Sequence, residues 1–415
     1  MIKNPEDIIA DKAKAAIFIP KLKSIFDALP ENLSNAAKGF ANILDDNKPA
    51  VIALSSLDPP QAYFALPVKE GQEKTVIDMA KSYFSKAESW SGYVFVALEG
   101  DIPGNFGNKK FLPESGNSII CGRVLVDELM LLNSEKIESY KKYTTLRAFR
   151  LFLNSSQNKI MTRFITHELV DILKGVKEIH LESGPQSFEL KMNLKPESIL
   201  AKDINALKEV TLPALPEKDG VTFEFSSAID PAKITQLVDG IDVGLKTYLA
   251  DSSKTSAIYA MDDVFLNLKK SGTVKSAGSF ILTENDLTGQ AVIEAENGES
   301  FFKSVSIFYL KAFDYLTLNV KSSENSIEGE LLPLNFIKSE SGAAFKFFAD
   351  KKQVSFVDKR VSRPSLQLRD SGEAALFKLK ISKNAFKSTM LEDLNALLKM
   401  TVEENQLKLS GEISK

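Results

Sequence analysis

The stretch K-E-I-H-L-E-S-G-P-Q-S-F-E-L-K-M-N-L, residues 177–194, alternates apolar and polar on both sides of Ser183-Gly184-Pro185-Gln186. Period-two alternation interrupted by a short Gly/Pro turn is the signal of a β-hairpin, and a hairpin joins antiparallel strands. The same reading applies upstream and downstream. Val51–Leu54 and Ala62–Leu66 flank Asp58-Pro59-Pro60; Tyr315–Val320 precedes Ser326–Leu332; Leu398–Val402 and Gln406–Ile413 flank Glu403-Glu404-Asn405.

Working outward, a strand and a helical stretch precede several of these hairpins. The pattern comes back four times, near Ala15–Pro67, Ser118–Leu194, Val221–Leu282 and Glu373–Ile413. No fixed period accompanies it, so a solenoid is not expected. The expected fold class is α+β: two lobes of repeated β-α-β-β units, in which mostly antiparallel curved sheets carry helices on one face. Residues 1–196 form the N-terminal lobe, 197–220 a linker with a short helix over Ser198–Leu207, and 221–415 the C-terminal lobe. The linker is marked by Pro196, Pro213, Pro216 and Glu217-Lys218-Asp219-Gly220.

Local signals fill in the rest. Asn4-Pro5-Glu6-Asp7 is a helix start, with proline at the first position and acids in the first turn. Val76, Met79, Ala80 and Phe84 share a helical stripe, and Gly92–Leu98 is a strand. Ile119–Val126 opens the second copy and is followed by a long helical region from about Ser134 to Leu173. Asp230-Pro231 starts a helix through Ile234, Leu237, Val238, Ile241 and Leu245. Strands are expected at Ala257–Met261, Val264–Leu268, Ser279–Leu282, Gln290–Ala295, Phe345–Phe348, Val354–Val357 and Ala374–Ile381. Helices are expected at Ser300–Phe313 and Asn384–Leu394.

Composition excludes several classes. With 415 residues, 44% hydrophobic and 26% charged, the chain is globular rather than disordered or fibrous. The 52 basic and 55 acidic side chains leave a formal charge of −3, which gives no global field for nucleic acid. One cysteine, Cys121, rules out an intramolecular disulfide; it sits in an apolar run and reads as a small buried side chain. No run of apolar residues reaches the length of a membrane-spanning helix, and Met1–Asp7 carries no apolar signal core.

Catalytic motifs do not emerge. There is no Walker A or dinucleotide fingerprint, and the loop Gly104–Lys110 lacks the strand and hydroxyl that phosphate binding needs. His167-Glu168-Leu169-Val170-Asp171 departs from the zincin spacing by placing aspartate where the second histidine should be. His180, in a strand, is expected to face solvent or a polar neighbour. Acidic pairs at Asp45-Asp46, Asp262-Asp263 and Glu403-Glu404 read as solvated turns. No cofactor or metal is expected.

Two features point to contacts. Lys136 to Arg163 is rich in cations, and Lys141, Lys142, Arg147, Arg150, Lys159 and Arg163 form the candidate binding face, suited to an acidic protein or anionic lipid headgroups. A second, smaller cluster is Lys359, Arg360, Arg363 and Arg369. The 27 phenylalanines crowd around Phe301-Phe302, Phe308-Tyr309, Phe313 and Phe345–Phe348, which core packing or an apolar-ligand cavity would explain. Trp90 stands in a polar turn-like setting, exposed or half-buried.

The order of pieces around "AAIFIPKLKSIFDAL", "ALPV" at Ala65–Val68, "GYVFVALEG", "FELKMNLKPES" and "VTFEFSSAIDP" resembles large uncharacterised exported proteins and lipoproteins of environmental bacteria, which are two-lobed. The resemblance implies a periplasmic or cell-surface location with a leader already removed, the alternative being cytoplasmic. The functional expectation is a non-enzymatic binding or structural protein acting through an inter-lobe groove or the basic helical face. The alternatives are a hydrolase whose site is assembled from distant residues and a carrier of an apolar ligand.

Overall fold

Hairpins dominate the architecture, and every strand pair described below is antiparallel. The computed structural model describes residues 4–22, 41–57, 60–84, 86–114, 118–129, 170–207, 211–215, 221–251, 255–282, 287–314, 317–331, 345–358, 366–382 and 395–414. The chain divides into two compact units, Met1–Asn133 with Val176–Asn193, and Ser134–Gly175 with Leu194–Lys415.

In the first unit the strands are β1 (Ala15–Ile19), β2 (Ala50–Leu57), β3 (Pro60–Pro67), β4 (Lys86–Trp90), β5 (Tyr93–Glu99), β6 (Ile120–Val124) and β7 (Val176–Ser183). Their pairings give the order β4-β5-β3-β2-β1-β6-β7. The turn after β7 closes with the Gly184 N–H donating to the Ser187 carbonyl at 2.7 Å, leading into β8 (Ser187–Leu194).

Tyr93, Val94, Phe95, Val96 and Ala97 of β5 are all buried, a continuous run rather than an alternation. The reason is that both faces of this part of the sheet are covered. On one face Tyr63, Tyr93, Phe95 and Cys121 pack with Ile8, Ile9 and Phe111 from outside the sheet. On the other, Val94, Val96 and Leu66 pack with Val76 of helix α1 (Glu73–Lys81), beside Ile77 and Ala80, while Met79 and Phe84 of the expected stripe are exposed. Trp90 belongs to the first layer, stacked on Phe95 at 4.2 Å and edge-on to Phe106 at 4.9 Å. Each large side chain fully buried in this way contributes roughly 1.5–3 kcal/mol. The expected helix at Asn4-Pro5-Glu6-Asp7 is a single 3-10 turn, Pro5–Ile8, in which the Asp7 carboxylate accepts the Asn4 N–H at 3.0 Å. A short helix α2 (Val126–Leu129) follows β6.

The second unit holds α3 (Val170–Lys174), α4 (Ile199–Ala206), β9 (Thr211–Pro213), β10 (Phe223–Ile229), α5 (Thr235–Asp251), α6 (Thr255–Lys269), β11 (Val274–Leu282), β12 (Leu287–Ala295), α7 (Gly298–Ile307), β13 (Thr317–Ser322), β14 (Ser326–Leu331), β15 (Phe345–Asp350), β16 (Gln353–Asp358), β17 (Asp370–Ala374), β18 (Phe377–Ile381), β19 (Asn395–Glu403) and β20 (Gln406–Ser414). The pairings give one order, β20-β19-β18-β10-β11-β12-β16-β15-β14-β13. Within the expected linker, β9 pairs with β17.

Two expectations change here. Ala257–Met261 and Val264–Leu268 are not strands; they lie in the single helix α6. Ala257, Ala260, Met261, Val264 and Phe265 are its buried stripe at three- and four-residue spacing, and Asp262-Asp263 lie on the exposed side rather than in a turn. Asp230-Pro231 does not begin a helix. The Asp230 carboxylate accepts the Ala232 N–H at 3.0 Å in a local turn, and α5 begins at Thr235.

The aromatic-rich core of this unit joins Phe301 and Phe302 of α7 to Phe347, Ile327 and Val354 of the sheet. Tyr309, in a π-helical turn Phe308–Ala312 that continues α7, stacks on Phe347 at 4.7 Å. Gly278 is required by packing: an added Cβ would run into the ring of Phe225, which lies parallel to Phe280 at 6.1 Å.

Candidate functional site

Lys141, Lys142, Arg147, Arg150, Lys159 and Arg163 lie outside the described residues, as do His167, Lys359, Arg360 and Arg363. Arg369 is described, and its backbone carbonyl accepts the Ala214 N–H. The loop at Gly104–Lys110 is tied back to the N-terminal segment. The N–H groups of Gly107 and Asn108 both donate to the Ile9 carbonyl, Lys109 pairs with Glu6 at 3.3 Å, and Lys110 with Glu128 at 3.6 Å. Both lysine side chains remain largely exposed. Of the acidic pairs, Asp45 bonds Lys48 at 3.1 Å and Asp262 bonds Lys246 at 2.5 Å.

The structure joins two residues that the sequence treats separately. Cys121 on β6 and His180 on β7 point to the same face, with Sγ and Nε2 3.3 Å apart and both side chains buried. On the far side of the imidazole, Nδ1 lies 3.8 Å from the Glu114 carboxylate. His180 thus meets polar neighbours rather than solvent. Ser118 donates to Glu182 beside them. Two residues along each strand, Arg123 donates to Glu178 from Nε at 3.0 Å and from Nη2 at 2.7 Å, and Asn193 donates to the other oxygen of Glu178 at 2.7 Å.

A thiol, an imidazole and a carboxylate in line are the parts of a cysteine nucleophile site. Their electrostatics run the other way. Burial, then the Glu182 and Glu114 carboxylates, push the Cys121 thiol up to about 11, and Arg123 offsets only part of this. An activated nucleophile needs its thiol lowered. Among the described residues no group of three or more histidine, cysteine or acidic side chains is placed to hold a metal ion.

The second feature is a concave face on β13–β16. Lys321 (β13), Glu328 (β14), Phe348 (β15) and Ser355 (β16) follow one another across the sheet by register and therefore share a face. Two adjoining hollows open there, of about 430 and 340 Å³, and both are lined by Lys321, Glu328 and Phe348. A bulge between Leu318 and Lys321, with Asn319 in the left-handed region at φ 52°, bends β13. Lys321 bonds Glu328 across the strands at 3.1 Å.

The sequence groups Phe345, Phe347 and Phe348 as one aromatic crowd. The structure separates them: Phe345 and Phe347 are buried, and Phe348 faces the hollows, half-buried. The signal that finds this is the alternation of Phe345-Lys346-Phe347-Phe348-Ala349-Asp350, which puts Phe348 in phase with Lys346 and Asp350. Phe308 and Phe313 stack on each other at 4.6 Å, and Phe301 and Phe302 are core.

No protein-family model, no curated protein and no solved structure matches the chain.

Proposed function

We propose that this chain is a non-enzymatic binding or structural protein that works outside the cytoplasm through the shape of its sheet surfaces. The observation that carries the reading is the concave face around Phe348, where an aromatic ring is held in front of the sheet among polar side chains instead of joining the core beside it. Binding surfaces combine a few placed polar groups with an apolar contact in this way. The location rests on the exported proteins that the sequence resembles. No helix among the described residues is long and apolar enough to cross a membrane.

The same proposal takes the chain as four related β-α-β-β modules, two per unit. Strand pairing supports it. In the first unit the opening strands of two modules, β1 and β6, pair antiparallel, each with its own following strand on the outer side. In the second unit β10 and β18 do the same, flanked by β11 and β19. The connections after β1, β6 and β18 fall largely outside the described residues.

The hydrolase reading has one constellation in its favour, Cys121–His180–Glu114, and the upward displacement of the thiol argues against it. Screening the purified chain against a broad ligand library by thermal shift, alongside a hydrolase substrate panel, tests the proposal. Ligand-induced stabilisation without turnover is expected, and turnover of any panel substrate would overturn the non-enzymatic reading. Charge reversal at Arg147 and Arg150 in pull-down and lipid-overlay assays tests the basic stretch as a second contact surface, and unchanged binding removes it.

A further inference from the structure

We propose that the concave face of β13–β16 binds a neutral saccharide, with Phe348 as the surface on which a sugar ring stacks; this rests on the binding-protein reading and names its ligand class. The charges on the face nearly balance: Lys321 and Lys346 stand against Glu328, Glu330 and Asp350. Lys321 bonds Glu328 at 3.1 Å, and Lys346 stands opposite Glu330 in the β14–β15 register. Asp350, at the rim, spends one carboxylate oxygen on the N–H groups of Lys352 and Gln353 at 2.7 and 2.9 Å. A face with two cations against three carboxylates carries little net charge and holds out no attraction to an anionic ligand. It does offer closely spaced donors and acceptors, which suit a ligand whose hydroxyls both donate and accept.

The ring supplies the other half of the recognition. One face of a pyranose presents C–H bonds, and these pack against the electron-rich face of an aromatic side chain. Phe348 lines both hollows, so a chain of sugars stacked on the ring would extend into both. Each hollow falls within the usual size of a small-molecule site.

A second observation points to the same place. Beyond β3 the first unit continues through a helix to β4 and β5, and β5 returns to pair with β3. Beyond β12 the second unit continues through a helix to β13–β16, and β16 returns to pair with β12. Among the described residues the second unit thus differs by one extra hairpin, β13–β14. That hairpin contributes Lys321 and Glu328, which line both hollows, and Asn319 of the bulge, which lines one.

The test is titration of the purified full chain with neutral cello-, xylo-, malto- and chito-oligosaccharides by calorimetry and by NMR, with a set of extended peptides in parallel. At least one oligosaccharide class is expected to bind. Phe348→Leu, which keeps an apolar side chain, and Phe348→Ala should each weaken that binding about tenfold or more, while Phe348→Tyr should retain it. Melting temperatures of the variants establish that the sheet is intact. Absence of binding by every oligosaccharide, or binding that Phe348→Leu leaves unchanged, overturns the proposal. Phe348-dependent binding of peptides alone overturns the saccharide assignment and leaves the binding-protein reading standing. Cleavage of a bound oligosaccharide supports the site and overturns the non-enzymatic reading.

Discussion

Cys121 Sγ lies 3.3 Å from His180 Nε2, placing the chain's one cysteine against one of its two histidines across the β6–β7 pair. Proximity alone does not make a nucleophile. The thiolate is the attacking species, and burial together with two nearby carboxylates holds this thiol up at about 11. The folded protein is therefore expected to resist iodoacetamide and disulfide reagents near neutral pH, and to react fully once denaturant exposes Cys121. Labelling rates followed by mass spectrometry check this, and fast stoichiometric labelling of the native chain at neutral pH would contradict it.

How much of this was legible follows from what each signal needs. The hairpins at Val176–Leu194 and Asn395–Ser414 are written locally, in alternation and a short polar turn. The Cys121–His180 contact needs the pairing of β6 with β7, 59 residues apart at these two side chains, and alternation states faces without naming partner strands. Helix α6 departs from the expected pair of strands for a different reason. Its two short apolar clusters around Asp262-Asp263 imitate strands about a turn, and only the four-residue step from Ala257 to Met261 and the three-residue step on to Val264 reveal the helix. Phe348 was legible in phase with Lys346 and was obscured by its aromatic neighbours. The basic stretch at Lys141–Arg163 lies outside the described residues.

Tyr63 carries a hydroxyl into the apolar core of the first unit, where it donates to the Ile8 carbonyl at 2.9 Å and accepts the Ala10 N–H at 2.7 Å. Burial raises its phenol well above the ordinary range. Tyr63→Phe keeps the ring and strands two buried backbone groups. The expected loss is about 1–3 kcal/mol, measured by urea unfolding. Because those backbone groups anchor the N-terminal turn, limited proteolysis within Pro5–Ala13 should accelerate in the variant. An unchanged cleavage rate there would show that the turn is held by other contacts.

Glu178 and Arg123 give an acid-sensitive contact. Burial works to raise the Glu178 carboxyl, but hydrogen bonds from Arg123 and Asn193 outweigh it and hold the group below its usual 4.5. A carboxyl lowered in the folded state contributes stability that is present above its unfolded value and is lost as pH falls through the folded value. Glu178→Gln should therefore cost about 1–3 kcal/mol near neutral pH, and the gap from wild type should shrink as the solution is acidified below 4.5. Denaturant midpoints across an acid series check the trend. A gap that stays constant would mean the charge on Glu178 contributes nothing.

Asp203 is displaced in the opposite direction, which makes it the counter-test. From α4 its carboxylate accepts the Gln236 N–H at 2.8 Å and the Thr235 hydroxyl at 3.3 Å, capping the start of α5 from a neighbouring helix. Capping favours the ionised form, yet the side chain is buried, and burial, reinforced by Asp239, leaves the group raised above 3.8. For a carboxyl raised in the folded state, its contribution to stability is fully present below 3.8 and is lost as pH rises through the folded value. Asp203→Asn keeps an acceptor for Gln236 and removes the titration. Wild type should then lose ground to this variant as pH rises from 3.8, whereas it gains ground on Glu178→Gln as pH rises toward and past 4.5. Asp203→Ala, which removes the acceptor as well, should cost about 0.5–2 kcal/mol more than Asp203→Asn at every pH. If both asparagine and glutamine variants drifted the same way with pH, the burial of Asp203 would not be what sets its ionisation.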